Sequence, residues 1–235
     1  MASIDSFDWT VINWLESYAV RIPMLHPLLA RLLESKALYF GLLMMALWYF
    51  WLDKSRASSE VRSRVPMTIL GALVALVIGR LLAEALPFRE RPLSVLATHL
   101  PGFFDPNSSL RTWSSFPSDH AAIGFALSMG IWMMGRWLGA VAFVLGALYI
   151  CLPRLLLGLH YPTDLLGGAA IGMLTTYGLN IERIRVPVCK LICCLEPRHR
   201  VAFYTVFVVV SYEIIRMFDD IRHPVTVLFR LLHHT

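Results

Sequence analysis

Charged side chains are scarce in this sequence. They make up 16% of its 235 residues, whereas 57% of the residues are hydrophobic and the mean hydropathy is +0.62. A soluble domain averages about 25% charged and about 45–50% apolar residues. The deficit excludes an ordinary soluble domain and indicates a helical protein that crosses a membrane several times, with lipid covering much of its surface.

Cysteines are also few, and their positions exclude a disulfide framework. Cys151 falls inside an apolar run, while Cys189, Cys193 and Cys194 cluster near His199. That cluster lacks the paired spacing typical of a zinc site, so we interpret these thiols as part of a segment at the membrane surface. No metal and no cofactor are expected. A cleavable signal peptide is not expected either, because MASIDSFDWT carries acids where a signal has Lys or Arg.

Apolar runs that approach the ~20 residues of a membrane-spanning helix recur along the chain. The predicted spans are 37–52, 66–86, 121–134, 138–157, 165–181 and 201–218. Residues 1–35 mix apolar and charged side chains, which is typical of an amphipathic segment on a membrane surface. We therefore predict one all-α domain over 1–235, a membrane-embedded bundle of six spans, or of five plus the N-terminal amphipathic helix. Its catalytic core is expected over 37–181.

Basic residues divide the predicted loops between two sides of the membrane. Those after the first, third and fifth spans are rich in Lys and Arg, so the positive-inside rule places them in the cytoplasm. Their basic residues are Lys54, Arg56, Arg62, Arg64, Arg136, Arg183, Arg185, Lys190, Arg198 and Arg200. The loop 87–117 and the turn 158–163 then share the outer face. Topology and phosphate binding account for the net charge of +5, and no nucleic-acid partner is expected.

Residue types suited to phosphate chemistry concentrate in three clusters at the outer face, within 87–92, 115–120 and 153–164. The candidate site residues are Arg89, Arg91, Ser118, Asp119, His120, Arg154, His160 and Asp164. Topology does not explain arginines on this side. Phosphate binding does, because the planar guanidinium makes paired hydrogen bonds to phosphate oxygens.

The second and third clusters combine an anion site with two histidines. Ser118 is a favourable N-cap, so 117–120 predicts a helix N-terminus, where free backbone N–H groups hold anions. His120 would lie in its first turn. Phosphoryl transfer needs a nucleophile and a proton donor, and two histidines fit these roles, one attacking as neutral imidazole and one donating as imidazolium. His160 and Asp164 are four apart across a Pro–Thr turn, so the carboxylate can fold back onto the ring and fix its tautomer.

These clusters resemble the type 2 phosphatidic acid phosphatase superfamily, which includes lipid phosphate phosphatases and undecaprenyl pyrophosphate phosphatases. Its signatures are Lys-x6-Arg-Pro, Pro-Ser-x-His and Ser-Arg-x5-His-x3-Asp. The matching residues are Arg91 and Pro92, then Pro117, Ser118 and His120, then Arg154, His160 and Asp164. The second and third signatures are specific together, whereas Arg-Pro alone is weak.

The resemblance implies an integral membrane phosphatase that acts on a lipid phosphate or polyprenyl diphosphate without a metal. It implies that His160 attacks phosphorus and forms a phosphohistidine, that Asp164 orients His160, and that His120 protonates the leaving group. Water would then hydrolyse the intermediate. The implied partners are the lipid substrate and the bilayer, and the implied location is a bacterial cell membrane with the site on its outer, periplasmic face.

The resemblance also implies which residues bind phosphate oxygens. They are Arg91, Ser118 and Arg154, with the backbone N–H of Asp119, and Arg89 is a further candidate.

The sequence departs from the family pattern at three positions. Glu84 stands where the lysine is expected, and either Arg80 or Arg89 can replace its charge. Arg80 and Glu84 are also spaced for a mutual ion pair on one helix, which is an equally good interpretation. Asp119 occupies a position that is often glycine, and Pro153 replaces the serine before Arg154.

Two other functions remain open at this point. A lipid phosphotransferase of the same family would pass the phosphate to a second lipid instead of water. A phospholipid transporter or flippase would bind phosphate without turnover. The sequence does not define the oligomeric state.

Overall fold

The computed structural model describes residues 2–19, 24–34, 36–53, 59–96 and 113–218. All regular structure in these ranges is helical, as predicted. In chain order the elements are α1 (Ala2–Ala19), α2 (Leu25–Glu34), α3 (Lys36–Leu52), α4 (Ser59–Ala85), α5 (Pro92–Leu96), α6 (Asp119–Met134), α7 (Arg136–Gly146), a π turn (Ala147–Cys151), α8 (Leu152–Leu156), α9 (Pro162–Leu179), α10 (Glu182–Arg198) and α11 (Arg200–Arg216). Most of the predicted outer loop, including Arg111, the basic residues Lys54 and Arg56, and the tail after 218 lie outside the described residues.

Within the described ranges, two helical stretches are long and apolar enough to cross a membrane. They are Glu60–Ala85 and Arg136–Leu156, which correspond to the second and fourth predicted spans. A third is reached if Pro27–Leu33 and Ala37–Leu52 are counted as one bent span. The helices α3 and α6 have only 17 and 16 residues, and at about 1.5 Å per residue they fall short of a ~30 Å hydrocarbon core. The expectation of five or six spans stays a prediction.

The helices α6 and α9 pack against each other almost backbone to backbone, because α9 presents glycines to α6. A Cβ atom added at Gly168 would meet the carbonyl oxygen of Ser118 and the nitrogen of Ala122. One added at Gly172 would meet the carbonyl oxygen of Ala122 and the nitrogen of Ala126. Small residues four apart let membrane helices approach this closely. Since successive turns of α9 face successive turns of α6, the helices run parallel and their N-termini share one end.

The long helix α4 runs antiparallel to this pair and packs on both members. Gly71, near its middle, contacts Thr176 in the last turns of α9. Gly79, further along α4, lies beside Pro117 and Asp119 at the start of α6. The C-terminal end of α4 and the segment after it are therefore delivered to the same end as the N-termini of α6 and α9. We call this end of the bundle the site end.

The opposite end of the bundle is held by a basic and aromatic network. Arg62 donates from one nitrogen to both carboxylate oxygens of Glu196, each at 2.9 Å, and its guanidinium lies 4.3 Å from the ring centre of Trp51. The Tyr204 hydroxyl donates to Glu196 at 2.9 Å and accepts from the Trp51 indole N–H at 3.3 Å. Helices α3, α4, α10 and α11 are thereby joined away from the site end.

Helix α10 occupies a stretch that the sequence analysis treated as a basic loop. Arg185 donates to the Ser63 hydroxyl of α4 at 2.5 Å, and the Cys189 thiol donates to the Ser63 carbonyl at 3.0 Å. These contacts bury Arg185 and Cys189. Polar side chains of α10 therefore form hydrogen bonds with α4. Because these contacts join residues far apart in the chain, no local sequence pattern predicts them.

The N-terminal helices dock on the site end. Ile12 of α1 is buried, and α1 packs on α8 and α9. Leu29 of α2 packs with Leu157 and Leu159, which precede the third cluster's histidine. The segment predicted to lie on the membrane surface thus contacts the region that carries the candidate site.

Replacing Gly172 with Ala tests the close approach of α6 and α9. The added methyl group meets backbone atoms that cannot rotate away, so we expect a loss of about 1–3 kcal/mol or more, as for overpacked cores. The matched change Gly178→Ala has nothing within 4 Å of the added carbon and should raise stability slightly, because Ala favours helix over Gly. Thermal unfolding in detergent measures both. Equal stability of the two variants would contradict the packing described above.

Candidate active site

Helix α6 begins directly after Ser118, which is its N-cap as predicted. The Ser118 hydroxyl makes no capping hydrogen bond, and it is fully buried without a hydrogen-bond partner among the described residues. A buried polar group left in this condition costs about 1–3 kcal/mol. A hydroxyl beside the free N–H groups of a helix N-terminus is suited to an anionic ligand, which would satisfy it.

The Ser118 backbone joins α6 to α9. Its N–H donates to the Asp164 carbonyl at 3.1 Å, across the junction of the two helix N-termini. His120 is the second residue of α6 and is half-buried, with its ring centre 6.4 Å from that of Phe40. His160 immediately precedes α9. The structure therefore brings both predicted histidines to the site end.

The imidazole of His160 has a defined tautomer. Its Nδ1 lies 2.9 Å from the Ser115 carbonyl oxygen and 3.6 Å from Asp164 Oδ2. Because a carbonyl oxygen only accepts hydrogen bonds, Nδ1 carries the proton and Nε2 carries the lone pair. Nε2 lies 3.2 Å from Arg91 Nη1, which also donates to the Leu159 carbonyl at 2.7 Å. His160 is thus set up as a neutral imidazole whose free nitrogen faces a guanidinium.

Asp164 anchors the turn that carries His160. It is fully buried, and its Oδ2 accepts from the Ser115 hydroxyl at 2.7 Å and from the Tyr161 N–H at 2.8 Å. Its Oδ1 accepts from Arg89 at 2.6 Å. Ser115 lies in the second predicted cluster without a predicted role, although it contacts His160 through its carbonyl and Asp164 through its hydroxyl.

Arg89 is bound to carboxylates in this structure. One terminal nitrogen donates to Asp164 and the other to Asp8 of α1, each at 2.6 Å. Its guanidinium also lies 4.1 Å from the Tyr161 ring centre. Partial burial lowers the pKa of Arg89, but the two acids outweigh it and leave that pKa above its usual value. The predicted phosphate contact of Arg89 stays a prediction, since its guanidinium is engaged with two carboxylates.

Arg154 is almost completely buried, at 5% exposure. Its side chain donates to the Ile150 carbonyl in the π turn at 3.2 Å, and its carbonyl accepts from the N–H groups of Leu159 and His160. The π turn ends at Cys151, two residues before Pro153, which has no N–H to continue the helical hydrogen bonds. The backbone of Arg154 therefore closes the turn before His160, while its guanidinium brings a positive charge to the buried side of the site.

One of the departures from the family pattern, the acid at Asp119, has a structural explanation. Asp119 forms an ion pair with Arg80 and is 8% exposed, so its negative charge is compensated. Arg80 also lies over the ring of Trp113, at 4.1 Å from its centre. Glu84, at the position of the family lysine, is exposed. Both candidates for the missing positive charge, Arg80 and Arg89, are engaged with carboxylates.

Burial dominates the electrostatics of His160. It lowers the pKa of His160 to about 4; Asp164 opposes this shift, while the positive charges of Arg91 and Arg154 add to it. The imidazole is consequently neutral at neutral pH, the form that can act as a nucleophile. Among the described residues, no group of three His, Cys, Asp or Glu side chains is arranged to hold a metal ion.

A bundle of apolar helices, two of them long enough to cross a membrane, places the chain in the class of integral membrane proteins. Residues 85–181 match the family model described as the PAP2 superfamily, and all three clusters fall in that range. The resemblance drawn from the motifs is confirmed over these residues.

Several named proteins are similar to this chain. The putative undecaprenyl-diphosphatase YbjG of Escherichia coli (strain K12) is 41% identical over 61 residues, which are 26% of this chain and 30% of YbjG. The bacitracin transport permease protein BcrC of Bacillus licheniformis is 28% identical over 65% of this chain and 68% of that protein. The undecaprenyl-diphosphatase BcrC of Bacillus subtilis (strain 168) is 26% identical over 60% of this chain and 66% of its own length.

A solved structure with a similar fold is that of a transmembrane PAP2-type phosphatidylglycerolphosphate phosphatase from Bacillus subtilis. Its TM-score is 0.51 and its sequence identity to this chain is 18%. The alignment covers 76% of this chain and 85% of that one. At this identity the likeness concerns the architecture alone.

The charge state of His160 can be measured by nuclear magnetic resonance on histidine-labelled protein in detergent. We expect the ring to remain neutral, with the proton on Nδ1, at pH 6, because its pKa lies near 4. The Arg91→Ala change removes a nearby positive charge and should raise that pKa, so protonation begins at higher pH. The change Arg136→Ala, at the opposite end, should leave the titration unaltered. A His160 ring that is charged at pH 6 would contradict the geometry.

Proposed function

We propose that this chain is a lipid phosphate phosphatase that hydrolyses a polyprenyl diphosphate through a phosphohistidine at His160. The observation that carries this proposal is the buried, neutral imidazole of His160, with Nδ1 on the Ser115 carbonyl and Nε2 facing Arg91. The substrate class is supported by the YbjG and BcrC relatives named undecaprenyl-diphosphatases. Undecaprenyl diphosphate is therefore the first substrate to test.

In the first step, the Nε2 lone pair of His160 attacks the terminal phosphorus of the diphosphate. The N–P bond forms as the bond from phosphorus to the bridging oxygen breaks, and the polyprenyl monophosphate leaves. His120, as imidazolium, gives its proton to that oxygen. The positive charge that develops on His160 is stabilised at Nδ1 by the Ser115 carbonyl and by Asp164, which lies 3.6 Å away.

In the second step, water attacks the phosphohistidine. His120 is now neutral and accepts a proton from the water, the N–P bond breaks, and inorganic phosphate is released. His160 returns to the neutral form and His120 to the charged form. The reaction consumes one water and requires no redox partner.

The phosphate oxygens are held by donors at the site end. Arg91 can turn from Nε2 of His160 to a phosphate oxygen, and Arg154 and the Ser118 hydroxyl add further donors. The backbone N–H groups of the first turn of α6, including that of Asp119, contribute the positive end of the helix dipole. Because Arg80 compensates Asp119, its carboxylate does not repel the anion. These fixed donors supply the charge stabilisation that a metal ion provides in other phosphatases, so we propose a metal-independent reaction.

The proposed location is a bacterial inner membrane with the site on the periplasmic face. The residues Arg62, Arg64 and Arg185 lie with α10 at the end opposite the site end. The positive-inside rule favours that end as cytoplasmic.

A transporter is the second candidate, because the Bacillus licheniformis relative is named a bacitracin transport permease. A transporter would need the anion-binding arginines but no nucleophile. Its phosphate-dependent transport would survive the loss of the His160 imidazole, whereas hydrolysis would not. A phosphotransferase shares the first step and differs only in the acceptor of the phosphate.

The His160→Ala variant tests the nucleophile. We expect purified protein to release phosphate from undecaprenyl diphosphate in detergent, and the variant to lose this activity by at least about 10³-fold, as for other nucleophiles. An acid-labile phosphoenzyme should be trapped from labelled substrate in the wild type and be missing in the variant. His199→Ala, a histidine at the opposite end, is the matched control and should behave as wild type. Labelled phosphoenzyme in His160→Ala would exclude His160 as the nucleophile.

Chelation and vanadate test the metal-independent step. Activity should persist in excess EDTA, since arginines and a helix N-terminus provide the positive charge. Vanadate, which adopts the five-coordinate geometry of the transition state, should inhibit and should protect His160 from chemical modification. Loss of activity in EDTA that a divalent metal restores would overturn this part of the proposal.

A further inference from the structure

The mechanism above uses no residue of α1, yet α1 places a carboxylate beside the site. Asp8 is completely buried, at 0% exposure. Its Oδ2 accepts hydrogen bonds from Arg89 and from the Thr163 hydroxyl, both at 2.6 Å, and its Oδ1 accepts from the Thr163 N–H at 3.1 Å. A buried carboxylate is tolerated only when it is paired and hydrogen-bonded, and these three contacts meet that requirement.

Arg89 connects Asp8 to the machinery around His160. One end of its guanidinium binds Asp8 and the other binds Asp164 and the Thr163 hydroxyl. Asp164 in turn accepts from the Ser115 hydroxyl, and the Ser115 carbonyl holds Nδ1 of His160. Hydrogen bonds therefore connect Asp8 of the first helix through Arg89, Asp164 and Ser115 to the proposed nucleophile His160.

A second contact fixes α1 on the same turn. Trp9 meets the Tyr161 ring edge-on with ring centres 5.7 Å apart, while Arg89 covers that ring at 4.1 Å. Tyr161 is the neighbour of His160 and the N-cap of α9. Adjacent residues of α1 thus contact both the guanidinium and the turn, which indicates a specific docking of α1.

We infer that Asp8 is a positioning residue, which acts through Arg89 to hold Asp164 and thereby His160 in the attacking orientation. Two acids divide the guanidinium between them, so neither end of Arg89 is free to withdraw. Without the Asp8 charge, the full positive charge of Arg89 acts on Asp164. It then weakens the electrostatic stabilisation that Asp164 gives to the His160 imidazolium. This inference rests on the proposed function, and it extends the site beyond the matched range 85–181.

The Asp8→Asn variant keeps the size of the side chain and removes its charge. We expect kcat for undecaprenyl diphosphate to fall about 10–100-fold, as for other residues that orient a reacting group. KM should change by less than about threefold, because Asp8 contacts Arg89 and Thr163 and none of the proposed phosphate donors. The rate of phosphoenzyme formation in a single turnover should fall with kcat. Rates are normalised to folded protein, measured by size-exclusion chromatography in detergent.

A double-mutant cycle shows whether Asp8 acts through Arg89. The double variant Asp8→Asn with Arg89→Gln should be no slower than Arg89→Gln alone, because the route is already broken. Thr163→Val is the second variant, used also if Asp8→Asn does not fold. It removes the hydroxyl that bridges Asp8 and Arg89, and should lower kcat in the same direction by a smaller factor, again with no added effect on Arg89→Gln.

Two matched controls separate positioning from general damage. Asn13→Ala changes an exposed residue of α1, and Glu182→Gln replaces an exposed acid with its amide at the opposite end. Both should keep the wild-type kcat. A wild-type kcat in Asp8→Asn overturns the inference, and if Asp8→Asn does not fold, a wild-type kcat in Thr163→Val does so. An effect on kcat that adds to the effect of Arg89→Gln overturns it as well. The proposed function fails separately, if the wild type releases no phosphate or His160→Ala still does.

Discussion

The site depends on the parallel packing of α6 against α9. Gly168 and Gly172 remove the side chains that would separate the two backbones, and the Ser118 N–H then reaches the Asp164 carbonyl at 3.1 Å. Parallel helices in such contact must begin at the same end, so two positive dipole ends and both clusters of polar residues meet there. An antiparallel arrangement of the same helices would place His120 and Asp164 at opposite ends of the bundle.

The balance of acids and arginines around this junction determines which groups stay available for a ligand. Asp119 is matched by Arg80, and Asp164 and Asp8 share Arg89. Each of these buried acids therefore has a cation, which the low polarity of the surroundings demands. Among the described residues, the side chain of Arg154 has only a backbone carbonyl as its hydrogen-bond partner. The surplus positive charge thus falls on the side of the site where His160 exposes its unprotonated nitrogen.

Some of this arrangement follows from local sequence and some does not. Ser118 as N-cap and the start of α6 at Asp119 were predictable because capping chemistry and the apolar run that follows are local. The meeting of the histidine clusters was predictable from the motif spacing. The Ser115 carbonyl was not, because a backbone atom leaves no residue-type signal. Asp8 is separated from Arg89 by 81 positions, and nothing near Asp8 in the sequence indicates a partner.

The helical content of α10 was missed for a related reason. Its basic residues fit the positive-inside pattern so well that they were assigned to a loop, whereas Arg185 and Cys189 are fixed by Ser63 on another helix. Likewise, Arg89 was predicted to bind phosphate because its charge lies in a loop predicted for the outer side. In the structure it forms ion pairs with two acids from distant parts of the chain, Asp8 and Asp164. Charge patterns thus did not predict the individual partners of these residues.

The π turn at Ala147–Cys151 determines the rotation of the chain that follows it. Such a turn accommodates one residue more than a regular helix of the same rise, and one residue corresponds to a rotation of about 100°. If the same residues formed a regular helix instead, Arg154 and the following turn would be rotated by that angle around the helix axis. His160 would then lose its contact with the Ser115 carbonyl. Although it carries no candidate catalytic residue, this five-residue stretch sets the angular register of the site.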